Sequence, residues 1–294
     1  MKKAAQLDRR IIYVLVLVAL AVPLLLGVAV KPARMTSAEK VYDTIEKLDN
    51  SKKQIVLLAI DFGPNSMAEN LPQAEIIIEH LMRRRIPFAT YSQYALAQPF
   101  LGSVPETVAA RLTKENNSES WIYGKDWVNL GVKLGSPRIQ IQALADSESI
   151  PQFLKKDAKG NALADLPAFQ GIQTLRDIPV FVQLTSLTNT FESYVQFLKR
   201  EDFRPIFLHG CTSISIPKAY IYMDSGQLSG LLEGVAGAAW YSVLLKEKFP
   251  NRANDSSLLI NTGLGVAHLV IVALIIWGNI AALLAIRNSK VKET

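Results

Sequence analysis

The chain has 294 residues, enough for two ordinary domains or for one large domain with appendages. Hydrophobic residues make up 49 %, and 32 Lys and Arg stand against 26 Asp and Glu, for a formal charge of +6. That composition excludes a disordered or collagen-like chain, and the single cysteine, Cys211, excludes an internal disulfide, a four-cysteine zinc site and a CxxC redox pair.

Residues 1–10 form a short tail with Lys2, Lys3, Arg9 and Arg10. Residues 11–30, IIYVLVLVALAVPLLLGVAV, then run without a charge. Twenty residues at about 1.5 Å each match the hydrocarbon thickness of a bilayer. A secretory signal would offer the same basic start and the small residues Gly27-Val28-Ala29. Its apolar stretch is shorter, roughly 7–15 residues, so the segment reads as an uncleaved anchor.

The segment 31–263 alternates strand-like and helix-like stretches. Thr36-Ser-Ala-Glu39 has the spacing of a capping box and opens an amphipathic helix expected at the membrane exit. The run Gln54 to Asp61 predicts a buried strand, Pro72 to Arg85 a helix with Pro72 in its first turn, and Pro87 to Ser92 a second strand. Arg83, Arg84 and Arg85 suit the negative end of that helix. Pro105 to Leu112 reads as helix, Trp127 to Leu134 as strand, and Arg138 to Ala145 fits either. Residues 146–178 contain Lys155 to Asn161, which reads as a polar turn and a surface excursion. Pro179 to Thr185 predicts a strand, Phe191 to Lys199 a helix, and Pro205–Leu208 and Tyr220–Met223 two short strands. About six strands with continuous apolar character imply a mostly parallel sheet flanked by helices, an α/β domain of Rossmann-like or flavodoxin-like type.

Gly226, Gly230 and Gly234 recur at every fourth position in the apolar stretch 226–245, which predicts one closely packed helix with a glycine ridge. Glu233 in its middle argues against membrane insertion. A second apolar stretch, 264–286, contains only His268 and Asn279 as polar interruptions. These two fall on one helix face, close to Gly278, and mark an expected contact face for a partner helix. Residues 287–294 form the second tail, with Arg287, Lys290 and Lys292. Basic flanks on the outer side of both spans predict two passes, both tails cytoplasmic and 31–263 extracytoplasmic, or periplasmic in a diderm bacterium. Asn116-Asn-Ser118 and Asn254-Asp-Ser256 match the glycosylation acceptor, relevant only in a eukaryotic secretory route.

In open parallel sheets ligands bind beyond the carboxyl ends of the strands. Those ends supply Asp61, Ser92, Thr185, Ser186, His209, Cys211, Asp224 and Ser225 as candidates for a polar crevice. Turn chemistry alone also favours Asp, Ser and Thr there. His209 with Cys211 or Ser225 would suit a hydrolase only if the imidazole reached the nucleophile, whereas residues i and i+2 on a strand share a face without pointing at each other. His209-Gly210 is similar to the His-Gly of caspase-like peptidases, which place a catalytic Cys at the end of a later strand. This chain has Asp224-Ser225 there, and that departure argues against a peptidase of this type. The Walker loop, GxGxxG, HExxH and GxSxG are absent, so no cofactor is indicated, and the three histidines are too scattered for a zinc cluster.

Most of the +6 sits in the tails; 31–263 carries 25 basic and 24 acidic residues. A near-neutral domain does not suit nucleic acid. The expected partners are the bilayer and other membrane or envelope proteins, which makes the chain a non-enzymatic assembly component. A tethered domain binding a small molecule or peptide is the alternative.

Overall fold

The computed structural model describes residues 8–115 and 120–290. Lys2, Lys3, Lys292 and the Asn116 acceptor lie outside the described residues. Helix α1 (Arg9–Leu26) leads to α2 (Thr36–Glu46), β1 (Val56–Asp61), α3 (Met67–Arg83) and β2 (Phe88–Ser92). Then come α4 (Gln98–Glu115), β3 (Trp127–Val132), α5 (Pro137–Asp146) and α6 (Ile150–Leu154). The rest runs β4 (Val180–Thr185), α7 (Thr188–Phe197), β5 (Ile206–Cys211), α8 (Ile216–Asp224), β6 (Gly230–Glu233), α9 (Gly234–Lys248) and α10 (Ser256–Lys290). Residues Ala33–Arg252 make one compact unit; the segments before and after them make another.

All six strands of the larger unit are parallel, in the order β3-β2-β1-β4-β5-β6. Winding therefore reverses between β1 and β4. Strands β1, β2 and β4 are buried along their whole length, which is why their sequences run apolar without alternation. One face packs on α2, α3, α4 and α9 through Val41, Ile77, Leu101 and Tyr241. The other packs on α5 to α8 through Ile141, Ile150, Tyr194 and Ala219.

Five strands lie where the hydrophobic runs place them, and the sixth does not. Tyr220–Met223 belongs to α8, whose start is set by Pro217 in the first turn. The stretch 226–245 is not one ridged helix: it is a turn, strand β6 and most of α9. Its glycines serve separate ends. Gly226 turns the chain after α8. A Cβ on Gly230 would lie 2.8 Å from Val41 Cγ2 and 2.9 Å from the Val41 nitrogen, so α2 can cross β6 only over a glycine. Gly234 adopts φ +54°, a left-handed value, where the strand becomes helix.

Other local expectations change for equally local reasons. Helix α2 is capped at Met35, with Thr36 already inside it, so the capping box does not form. Glu39 instead receives Arg34 Nε at 2.8 Å and Trp240 Nε1 at 3.1 Å, and α2 is an integral layer of the sheet domain. Helix α3 begins at Met67, which leaves Pro72 inside the helix rather than in its first turn. The arginines after it serve neighbours: Arg84 donates to the Glu46 and Leu48 carbonyls that end α2, and Arg85 to the Ser120 carbonyl. The polar turn Lys155–Asn161 lies at the surface apart from the buried Asp157, whereas Leu163, Phe169, Ile172 and Leu175 after it bury themselves in the core. Arg138 to Ala145 is helix, within α5.

At the C-terminal end of α3, Glu79 is buried and clamped by arginines. Arg252 sets Nε and Nη2 against its two oxygens at 2.6 and 2.7 Å and donates Nη1 to Ser242 Oγ at 2.7 Å. Arg83 and Arg111 each add a bond of 2.8 Å. Next to it, buried His80 joins Tyr241 at 2.5 Å and Glu46 at 2.8 Å.

The smaller unit pairs α1 with α10. Both are long and apolar enough to cross a membrane, over Arg9–Leu26 and Ser256–Leu284. They touch through small residues: Ala19 is buried, and a Cβ on Gly263 would lie 3.0 Å from the Leu20 carbonyl oxygen. The Val30 amide donates to Thr262 Oγ1 at 2.9 Å.

Candidate functional site

Parallel strands deliver their last residues to one edge, and here the centre of that edge is a buried carboxylate. Asp61 ends β1 with no exposure. Its Oδ1 accepts from Ser92 Oγ at 2.7 Å and the Gln93 amide at 2.9 Å, and its Oδ2 from Gln183 Nε2 at 2.9 Å. Thr185 Oγ1 donates to the Asp61 carbonyl at 2.8 Å. Burial pushes the Asp61 carboxyl up from its ordinary range, while the donors from Gln183, Gln93 and Ser92 pull the other way. The hydroxyls of Tyr91 and Tyr194 are buried alongside, close enough to feel each other and Asp61, and Gln183 Oε1 is buried there without a hydrogen-bond partner. Asp61, Ser92 and Thr185 thus meet as expected, but as a lock joining β1, β2 and β4 at the winding reversal.

Beside this lock, toward β3, lies a half-open cavity of about 110 Å³. Leu57, Leu130, Leu144, Phe153 and Leu154 give it an apolar wall; Tyr91, Gln93, Gln140 and Lys133 supply the polar atoms. Gln93 Oε1 is buried and unpartnered. Gln140 donates its amide to the Leu134 carbonyl, which fixes the loop at the cavity's edge. Lys133, just past β3, is half-buried, and burial lowers its pKa against the pull of Asp157. Asp157 offers it no bond, since Tyr123, Lys159 and Asn161 already donate to both carboxylate oxygens.

The remaining strand-end candidates divide. Thr185, Ser186 and His209 border a narrow cleft of about 10 Å³ between α7 and α8, room for little more than a water. His209 is buried, stacks on Phe191 at 4.1 Å between ring centres, and lies with Nδ1 3.1 Å from the Gln183 carbonyl oxygen. Burial drives its pKa down to about 3 and drives the buried Cys211 thiol up to about 12. A base that stays neutral and a thiol that stays protonated, with no bond between them, make no nucleophilic pair. Asp224 and Ser225 leave the site altogether. Asp224 is the last residue of α8 and Ser225 its C-cap, and the chain returns from there to the amino end of β6, where Gly230 is in register with Leu208. The residue that does end β6 is Glu233, which accepts from Ser37 Oγ at 2.7 Å and from the Tyr220 hydroxyl.

Of the interface candidates, Gly230 and Gly234 are buried and Gly226 lies in an exposed turn. On α10, His268, Gly278 and Asn279 are exposed, outside the seam with α1. His268 Nδ1 lies 2.7 Å from the Leu264 carbonyl oxygen and Asn279 Nδ2 donates to Ile275 at 2.9 Å, so both polar groups are satisfied by their own helix.

The edge also carries residues that the strand-end rule alone passes over. Gln183 inside the apolar run VFVQLT and Tyr91 inside FATYS are visible signals, because a lone polar group in a buried strand must find partners. Lys133 had none, being one basic residue among many. Among the described residues, no group of three or more His, Cys, Asp or Glu is placed to hold a metal ion. No family model matches this chain, and neither a curated protein nor a solved structure does.

Proposed function

We propose that the protein is a membrane-anchored binding protein, with α1 and α10 both crossing the bilayer and the domain between them receiving a small ligand at the carboxyl edge of its sheet. The strand order is that of doubly wound, Rossmann-like sheets, which favours this edge as the binding side. The observation that carries the reading is the cavity over β1, β2 and β3, which combines an apolar wall with a buried, unpartnered acceptor, Gln93 Oε1, and the ammonium of Lys133, which has no counter-ion among the described residues. The inert His209 and Cys211 favour binding over hydrolysis. Thermal unfolding of the full chain in mild detergent, run against panels of small metabolites and peptides, tests it. A ligand should raise the unfolding temperature of the parent and not that of Leu130→Phe, which fills the cavity; equal shifts in both end the reading.

The basic flanks of the two spans support cytoplasmic tails and an extracytoplasmic domain. Reporter fusions after residues 10, 150 and 294 check this, and a cytoplasmic signal at 150 would reverse it. The assembly-component reading draws on four aliphatic side chains exposed at the same sheet edge, Leu96 at 56 %, Leu134 at 67 %, Ile139 at 68 % and Ile214 at 89 %. A monodisperse monomer in mild detergent would remove its basis.

A further inference from the structure

The chemistry of the cavity wall narrows the ligand, an inference that rests on the binding reading above. Among the described residues that line the cavity, Lys133 is the one that is charged. The nearest acid in its field, Asp157, has its oxygens occupied by its own turn and by Tyr123. Among the described residues the half-buried Lys133 side chain has no acidic partner, which favours a ligand that brings negative charge to its ammonium. No carboxylate lines the cavity to receive an ammonium, so a zwitterionic amino acid would set like charge against Lys133. Gln93 Oε1 is a buried acceptor in want of a donor, which a ligand hydroxyl supplies without adding charge. The five apolar wall residues take an aliphatic body. Since a cavity of 150 Å³ lined by such residues takes up benzene, 110 Å³ suits a body of about four or five carbons.

The geometry points to a short aliphatic carboxylate as the ligand, its carboxylate on Lys133, its chain against Leu57, Leu130, Leu144, Phe153 and Leu154, and a 2-hydroxyl, where present, donating to Gln93. Four probes of nearly one shape separate the contributions: 2-hydroxy-4-methylpentanoate, 4-methylpentanoate, leucine and 3-methylbutanol. Calorimetric titration of the full chain in detergent should show both acids binding, the hydroxy acid the tighter, with leucine and the alcohol at least tenfold weaker. Lys133→Met should weaken both acids at least tenfold while leaving the alcohol unchanged, and Lys133→Arg should restore acid binding. Thermal unfolding of each variant verifies that it is folded, and Lys133→Gln replaces Lys133→Met if the latter is not. Alcohol or leucine binding as tightly as the acids, or acid binding indifferent to Lys133→Met, overturns the carboxylate and leaves the cavity a binding site. If none of the four binds the parent chain, this inference falls. The cavity reading then stands or falls on its own wider panel.

Discussion

Asp61 is a buried carboxylate held by three neutral donors and no cation, and that arrangement makes a specific prediction about its charge. In Asp61→Asn the retained oxygen still accepts from Ser92 and the Gln93 amide. The new amide faces Gln183, whose Oε1 has no partner at present, so a half-turn of the Gln183 amide satisfies Asn at that position. Asp61→Ala offers no such repair. Ser92 can turn toward the Tyr94 carbonyl, already 3.3 Å away, but the Gln93 amide and Gln183 Nε2 lose their acceptor. Two orphaned buried donors cost about 1–3 kcal/mol each, so Asp61→Ala should lose roughly 2–6 kcal/mol, a large part of the stability of an ordinary domain. The pH dependence separates the two variants further. Because burial raises the carboxyl's folded pKa above its ordinary 3.8, the stability Asp61 contributes is complete below that value and declines as pH rises through the folded pKa. Asp61→Asn stays neutral throughout, so it should gain on the parent as pH rises from 4 to 8. Urea unfolding of the full chain in detergent, followed by the fluorescence of Trp121, Trp127 and Trp240, measures both. Equal damage from Asn and Ala at pH 8, or a difference between Asn and parent that ignores pH, would refute the argument.

Three further outcomes follow from groups remote from the cavity. Glu79→Gln removes the charge that Arg252, Arg83 and Arg111 share and should cost about 3–5 kcal/mol by urea unfolding, the usual penalty for a buried charge left unpaired. Burial holds the folded pKa of His80 down to about 4, below its ordinary 6.5. Its stabilising contribution is therefore complete above 6.5 and lost as pH falls toward 4, and His80→Asn should flatten the unfolding temperature across that interval. Gly230→Ala puts a methyl into the Val41 backbone and should destabilise by about 1–3 kcal/mol; a neutral result would mean that α2 is free to shift off β6.

Burial on both faces makes a central strand legible, and β1, β2, β4 and the start of β5 are read correctly from their unbroken apolar runs. Tyr220–Met223 fails the same test because four apolar residues suit a strand or one turn of helix equally, and only Pro217 upstream hints at which. The glycines at 226, 230 and 234 mislead differently: their spacing matches a helical repeat by coincidence, while the constraint on Gly230 comes from Val41, 189 positions earlier in the chain. No local pattern carries a contact of that range. For the site, knowing where strands end suffices to bring Asp61 to Ser92 and Thr185. It does not show that Asp61 is sealed, nor that the open space lies one strand over beside Lys133, since cavities are set by how side chains from five elements fail to fill a volume.

The Glu79 clamp also has a mechanical meaning. Arg252 is the last residue of the sheet domain, so tension arriving along the peptide from α10 meets a guanidinium bonded to both oxygens of Glu79 and to Ser242 before it can peel α9. Through Arg83 and Arg111 the same carboxylate spreads that load over α3 and α4. At the other end, the bond described for the Arg34 side chain is to Glu39, and that side chain is 71 % exposed. The domain is thus riveted at its exit and merely laced at its entrance. Drawn from both ends at once, it should yield first at α2, uncovering the face of β6 at Gly230 while the sheet behind it stays whole.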